Sequence, residues 1–162
     1  MPNSVIINGK IKKFKKIISV SGDKSLSIRW VLFSSLADGV SKATNLLISD
    51  DVLATIKTIR KLGIKSEIKN NKCKIYGKGI DGYNYKKNIK INAENSGTLG
   101  RLILGLLVNS PKKIKLIGDK SLSKRDFTRV SEPLSKFGAK FKLNKKKNLP
   151  LEMIGSSNLK GI

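Results

Sequence analysis

The residues richest in chemistry are Ser21-Gly22-Asp23-Lys24-Ser25, with Arg29 about one turn later. Gly22 permits a tight backbone turn. Asp23 and Ser25 are both good N-cap residues, so a helix is expected to begin beside them. Free N–H groups at such a start, with the helix dipole behind them, suit an anion. Lys24 adds a mobile point charge, and Arg29 adds a planar fork matched to carboxylate or phosphate. A second start of this kind is Asn95-Ser96-Gly97-Thr98, with Arg101 one turn further in. There Gly97 would let a ligand approach the backbone closely. Lys124 and Arg125 bring further cations ahead of the last helix. Each feature alone also fits a capped helix with solvated cations, and Asp50 and Asp51 fit simple capping after Ser49. Together they suggest a small substrate carrying phosphates and carboxylates.

The composition narrows the chemistry. With 162 residues, 39% of them hydrophobic, the chain can bury a core. No apolar run approaches the ~20 residues of a membrane span, and Met1-Pro2-Asn3-Ser4 lacks the layout of a signal peptide. Cys73 is the single cysteine and histidine is absent. That excludes a disulfide framework, the usual zinc sites and any histidine-based triad. No cofactor or metal is expected, and a reducing cytoplasm is the simplest setting. The net charge of +23 invites a nucleic-acid reading. Yet all the basic residues except Arg29, Arg60, Arg101, Arg125 and Arg129 are lysines, spread along the whole chain. Lys, Ile and Asn share A/T-rich codons, so a biased genome yields this composition without a polyanion partner. No nucleic-acid fold signature accompanies the charge. A basic nucleic-acid-binding module stands only as the rival class.

The elements that would position these residues come in two similar runs. Residues 5–7 and 17–20 read as short strands around a basic turn at 9–16. A helix at 25–37 is apolar nearly all round through Trp30-Val31-Leu32-Phe33, which predicts burial on every side. A strand at 43–48 follows. The next helix places Val52, Ile56, Ile59 and Leu62 on one face, and Gly63 stops it. Strands at 65–69 and 72–76 flank an Asn70-Asn71 hairpin turn, and 77–88 is a loop. The order then repeats: a strand at 90–91, an apolar helix at 99–108, a strand at 113–117, and a helix at 126–137. In that last helix Phe127, Val130, Leu134 and Phe137 share a face, and Glu132 pairs with Lys136. Gly138 and strands at 140–143 and 149–154 close the unit. The words Gly22-Asp23-Lys24-Ser25-Leu26-Ser27 and Gly118-Asp119-Lys120-Ser121-Leu122-Ser123 echo each other but fall out of step with that repeat, so they are not read as equivalent positions.

Four segments in order carry a family resemblance: Ser21-Gly22-Asp23-Lys24-Ser25 through Arg29, Asn45-Leu46-Leu47-Ile48-Ser49-Asp50-Asp51, Asn95-Ser96-Gly97-Thr98 through Arg101, and Gly118-Asp119-Lys120-Ser121-Leu122 through Arg125. They resemble the 3-phosphoshikimate 1-carboxyvinyltransferase (EPSP synthase) family of enolpyruvyl transferases. The sister family that acts on UDP-N-acetylglucosamine is the alternative; it commonly carries a reactive-loop cysteine, whereas Cys73 falls in a predicted strand. The resemblance implies an α/β fold, the inverse α/β prism, built of repeated βαβαββ units around buried helices. Its expected bounds are 1–20 for strands pairing with a second domain, 21–82 and 83–156 for two units, and 157–162 for the start of a truncated third. The implied reaction transfers the enolpyruvyl group of phosphoenolpyruvate to the 5-hydroxyl of shikimate 3-phosphate.

By the same resemblance Lys24 sits between both substrates and holds the phosphate of phosphoenolpyruvate, and Ser25 and Arg29 hold the shikimate carboxylate. Gly97, through its backbone, and Arg125 complete the enolpyruvyl phosphate site. Asn95, Thr98 and Arg101 shape it, and Asp50 and Asp51 support the loop from behind. The implied partners are these two substrates, with no membrane, no specific nucleic acid, and a monomeric full-length enzyme. Two positions depart from the family: Ile28 stands where His or Asn is usual, and Asp126 where Pro is usual. An acid beside Arg125 is expected to offset part of its charge. The family is much longer than this chain, and the acid–base carboxylates it uses are implied to lie beyond Ile162.

Overall fold

A computed structural model describes residues 17–161, together with residues 6, 8, 9 and 15. Most of the expected strand at 5–7 and of the turn at 9–16 lies outside the described residues. Residues 17–20 form no strand, and Ile17, Ile18 and Val20 are exposed. The first regular element is α1 (Lys24–Leu36), where the Asp23 carboxylate accepts the Leu26 N–H at 2.7 Å. β1 (Asp38–Ala43) follows directly, earlier than the strand predicted at 43–48. Pairing decides this: β1 lies antiparallel to the far half of a hairpin, from Asp38 opposite Lys78 to Ala43 opposite Cys73. Asn45, at φ 58°, then turns the chain away. α2 (Asp50–Lys61) ends before Gly63, whose φ of 87° breaks the helix.

β2 (Lys65–Lys69) and β3 (Lys72–Lys78) form that hairpin around Asn70 and Asn71, both at positive φ as a two-residue turn demands. The first sheet is thus β1-β3-β2, all antiparallel. β4 (Asn88–Asn92), α3 (Gly97–Leu106), β5 (Lys113–Ile117), α4 (Thr128–Lys136), β6 (Lys140–Lys142) and β7 (Leu151–Ile154) complete the described elements. Their sheet has the order β4-β5-β7-β6, with only the β4–β5 pair parallel. The order β5-β7-β6 repeats β1-β3-β2, and Gly138 ends α4 at φ 106° as Gly63 ends α2. β4 has no paired counterpart before α1 among the described residues, because residues 17–20 join no ladder.

The helices and both sheets contribute to one shared core. α1 contributes Ile28, Val31 and Leu32, α2 contributes Val52, Ile56 and Ile59, and α3 contributes Leu99, Ile103 and Leu104. α3 is buried or half-buried along its whole length, as its sequence predicts. α1 is not buried on every side: Leu26 and Phe33 are 67% and 61% exposed. Its apolar residues surround the helix, but α2, α3 and β3 cover only one side of it. The predicted Glu132–Lys136 pair is likewise not among the ion pairs of the described residues; both side chains sit exposed on α4.

The one-sided burial of α1 sets a stability contrast that urea unfolding of this chain will measure. Ile28→Ala, fully buried, should cost about 2–5 kcal/mol. Phe33→Ala should cost less than about 0.5 kcal/mol. Equal losses would mean that the outer face of α1 is covered in solution.

Candidate functional site

The start of α1 is fixed by short polar contacts. Besides the Asp23 cap, Ser27 Oγ donates to the Asp23 carbonyl at 2.7 Å and accepts the Leu47 N–H at 3.1 Å. This ties the 45–47 segment across the helix start. Gly22 is required by close approach: a Cβ there would lie 2.3 Å from the Asn45 carbonyl oxygen. Lys24 and Ser25 therefore sit on a rigid first turn. Lys24 Nζ lies 3.1 Å from Asp51 Oδ2, and Arg29 Nη1 donates back to the Ser25 carbonyl at 3.3 Å. Asp51 thus meets Lys24, while α2 has no side-chain cap bond at Ser49. The Lys24 side chain is half exposed, so the pair contributes little, about 0–1 kcal/mol, and yields readily to a competing anion.

The start of α3 is capped by Ser96 Oγ, which accepts the Leu99 N–H at 3.2 Å. Two guanidinium groups converge on Gly97 there. A Cβ at Gly97 would stand 2.9 Å from Arg101 Nη1 and 3.0 Å from Arg125 Nη1. Arg101 is held by donating to the Asp126 carbonyl at 3.3 Å and by lying over the Phe127 ring at 5.3 Å, and its buried Nε has no partner. Arg125 Nη2 donates to Asn95 Oδ1 at 3.3 Å. Thr98 is half-buried on the same turn. A cavity of about 310 Å³ lies between the α2 and α3 starts, lined by Asp50, Asp51, Lys57, Glu94, Asn95 and Asp119 among others. The structure therefore forms one group at Lys24, Ser25, Arg29 and Asp51, and a second at Asn95, Gly97, Arg101 and Arg125. Asp51 and Asn95 both line this cavity. Among the described residues, no group of three or more His, Cys, Asp or Glu could hold a metal ion.

Two acids behave differently from expectation. Asp126 does not turn its carboxylate to Arg125. Its Oδ1 accepts the Thr128 hydroxyl at 2.6 Å and the Thr128 N–H at 2.5 Å, closing the start of α4. The Thr128 hydroxyl, then its N–H, hold the Asp126 carboxyl below its ordinary value of 3.8. Asp119, which sequence reasoning passed over, accepts the Leu122 N–H at 2.7 Å and the Asn95 amide at 2.6 Å. The Leu122 N–H is the main reason that its carboxyl is also lowered from 3.8. The echo of Gly22-Asp23-Lys24 in Gly118-Asp119-Lys120 was the available signal, since each aspartate caps the N–H three residues on at 2.7 Å.

The structure is a repeated α/β unit with cations gathered at two helix starts, an arrangement whose chemistry suits an anion. Comparison with known proteins makes the assignment specific. The family model for EPSP synthase (3-phosphoshikimate 1-carboxyvinyltransferase) matches residues 9–162. A Streptococcus suis protein named 3-phosphoshikimate 1-carboxyvinyltransferase is 42% identical over 153 residues, 94% of this chain and 36% of the relative. One of the same name from Bacillus cytotoxicus is 40% identical over 145 residues, 90% of this chain and 34% of the relative. The solved EPSP synthase from Acinetobacter baumannii superposes with a TM-score of 0.83 at 35% identity, covering 90% of this chain and 33% of that one. The chain belongs to the EPSP synthase family, whose α/β fold it shares, and it spans about a third of the length of the curated relatives it matches.

The lowered carboxyls give a pH dependence with a definite sign. A carboxyl whose value falls on folding stabilises the fold above its unfolded value and loses that contribution as pH drops through the folded one. Stability of this chain should therefore hold steady down to about pH 4 and decline below it. Asp126→Asn, which keeps an oxygen for Thr128 but cannot titrate, should flatten part of that acid limb in thermal melts. An unchanged limb would mean that Asp126 is not held as described.

Proposed function

We propose that this chain supplies part of the active site of an enzyme that transfers the enolpyruvyl group of phosphoenolpyruvate to the 5-hydroxyl of shikimate 3-phosphate. The observation carrying this reading is the convergence of Arg101 and Arg125 on the bare Cα of Gly97 at a helix start. Two cations and unpaired N–H groups around one unsubstituted carbon suit a phosphate. In this reading Gly97 and Arg125 hold the enolpyruvyl phosphate, with Asn95, Thr98 and Arg101 shaping the site. Lys24 reaches the same phosphate by exchanging Asp51 for it. Ser25 and Arg29 take the shikimate carboxylate, and Asp50 and Asp51 support the wall between the helix starts.

The chemistry adds the 5-hydroxyl oxygen to the substituted enolpyruvyl carbon while the methylene carbon takes a proton. Expulsion of phosphate from the tetrahedral intermediate, with loss of a methyl proton, then restores the double bond. Holding the phosphate in place through both steps is the task assigned to Lys24 and Arg125. The proton transfers need an acid–base pair, and that pair is assigned to a part of the enzyme outside these 162 residues. Residues 1–20 are assigned to pairing with that part, 21–82 and 83–156 to two successive units, and 157–162 to the start of a third. The setting is the cytoplasm.

The test joins this chain to the part of the Streptococcus suis relative that it does not match. Lys24→Ala and Arg125→Ala should each lower kcat/KM for phosphoenolpyruvate by about one to two decades, the worth of one charge-assisted contact. Lys146→Ala, in an exposed lysine run, should be near neutral. Equal losses at all three positions would undo the site assignment. The 162 residues alone, with the site open to water, should show no sustained phosphate release from the two substrates. Turnover by them alone would mean that the acid–base groups are misplaced.

A further inference from the structure

We propose that Asp119 is a positioning residue for Arg125, holding its guanidinium at the α3 start through the side-chain amide of Asn95. Its catalytic meaning rests on the reading that Arg125 binds the enolpyruvyl phosphate; the positioning itself does not. The chain of contacts is short and has one polarity. Asn95 Nδ2 donates to Asp119 Oδ2 at 2.6 Å, and Arg125 Nη2 donates to Asn95 Oδ1 at 3.3 Å. An ionised carboxylate only accepts and a guanidinium only donates, so one orientation of the Asn95 amide satisfies both.

Asp119 is itself fixed on every side. Its N–H donates to the Glu94 carbonyl at 2.8 Å, its carbonyl accepts the Ser123 N–H at 2.9 Å, and Oδ1 accepts the Leu122 N–H at 2.7 Å. The loop it grips is also set, since Glu94 at φ 49° exchanges two bonds with the Asn92 side chain. The same polar word at Asp23 supplies an internal comparison. There the carboxylate makes the identical cap to Leu26, and among the described residues that is the only bond it makes. Capping therefore needs one carboxylate oxygen. At Asp119 the second oxygen goes to the side chain that orients Arg125.

Asp119→Asn separates the two roles. The new amide keeps an oxygen for the Leu122 N–H, so the turn and the fold should survive, with unfolding still cooperative and the melting temperature only modestly lowered by loss of the charged acceptor. Its nitrogen now donates, so Asn95 must turn its carbonyl towards residue 119 and present its NH2 group to Arg125. Two donors then face each other and the guanidinium is released. In the completed protein, KM for phosphoenolpyruvate should rise about tenfold, with little change for shikimate 3-phosphate. In an Arg125→Ala background, Asp119→Asn should add no further loss, because both changes remove one interaction.

A second readout needs no substrate. In arginine side-chain NMR spectra of the 162-residue chain, Asp119→Asn should shift and broaden the Arg125 Nε–H signal and leave that of Arg29 in place. An unmoved Arg125 signal, or kinetic losses that simply add, would overturn the proposal. A moved signal with a phosphoenolpyruvate KM indifferent to Arg125→Ala would support the positioning and sink the phosphate reading instead.

Discussion

Two like charges held beside one carbon atom are the constraint on which the candidate site depends. Arg101 and Arg125 each bring a guanidinium nitrogen to about 3 Å from where a Gly97 side chain would begin. Among the described residues neither makes a direct ion pair with an acid, and the nearest carboxylate to Arg125 on this path, Asp119, acts through the Asn95 amide. Arg101 rests on a backbone carbonyl and an aromatic face, and Arg125 on an amide oxygen. Neutral acceptors hold a cation in place and leave its charge uncancelled. The arrangement therefore carries an electrostatic cost that a bound anion relieves. Asp126 could have removed that cost and does not, because Thr128 occupies its carboxylate.

The fold supplies this concentration of charge by repetition. The strand order of the first sheet recurs in the second, and α1 and α3 enter the shared core as the leading helices of the two runs. α1 and α3 both pack against α2, whose Asp51 meets Lys24 of α1 and lines one cavity with Asn95 at the α3 start. Burial does the positioning: Ile28 and Leu32 anchor α1, and Ile103 and Leu104 anchor α3. Polar first turns alone would not hold two short helices in register.

Much of this was legible in the residues. Periodicity and glycine stops placed α2 and the hairpin, and β5 falls where the sequence predicts it. Capping residues placed the starts of α1 and α3, and with them the candidate anion ligands. What could not be read was set by tertiary pairing. β1 lies where β3 can pair with it, not where its own residues look most strand-like. The outer face of α1 is exposed although its sequence is apolar all round, because a sequence shows what a helix can bury and not what covers it. Asp119 was missed for a related reason. Its partner Asn95 lies 24 residues away, and only the fold brings them together.

The lysine and the arginines are held in contrasting ways, and the contrast has a physical use. Lys24 faces a carboxylate across a half-exposed ion pair, a contact weak enough to exchange for an incoming anion. Its ammonium is a compact charge on a flexible stem, suited to moving between partners. Arg125 is fixed in orientation by an amide that itself leans on a carboxylate, and Arg101 is fixed by a ring. A planar fork loses most when misaligned, so it gains most from such support. In the proposed reaction the phosphate must be bound first and expelled later. A rigid pair of forks to define its place, with one mobile ammonium to follow its changing charge, meets both demands.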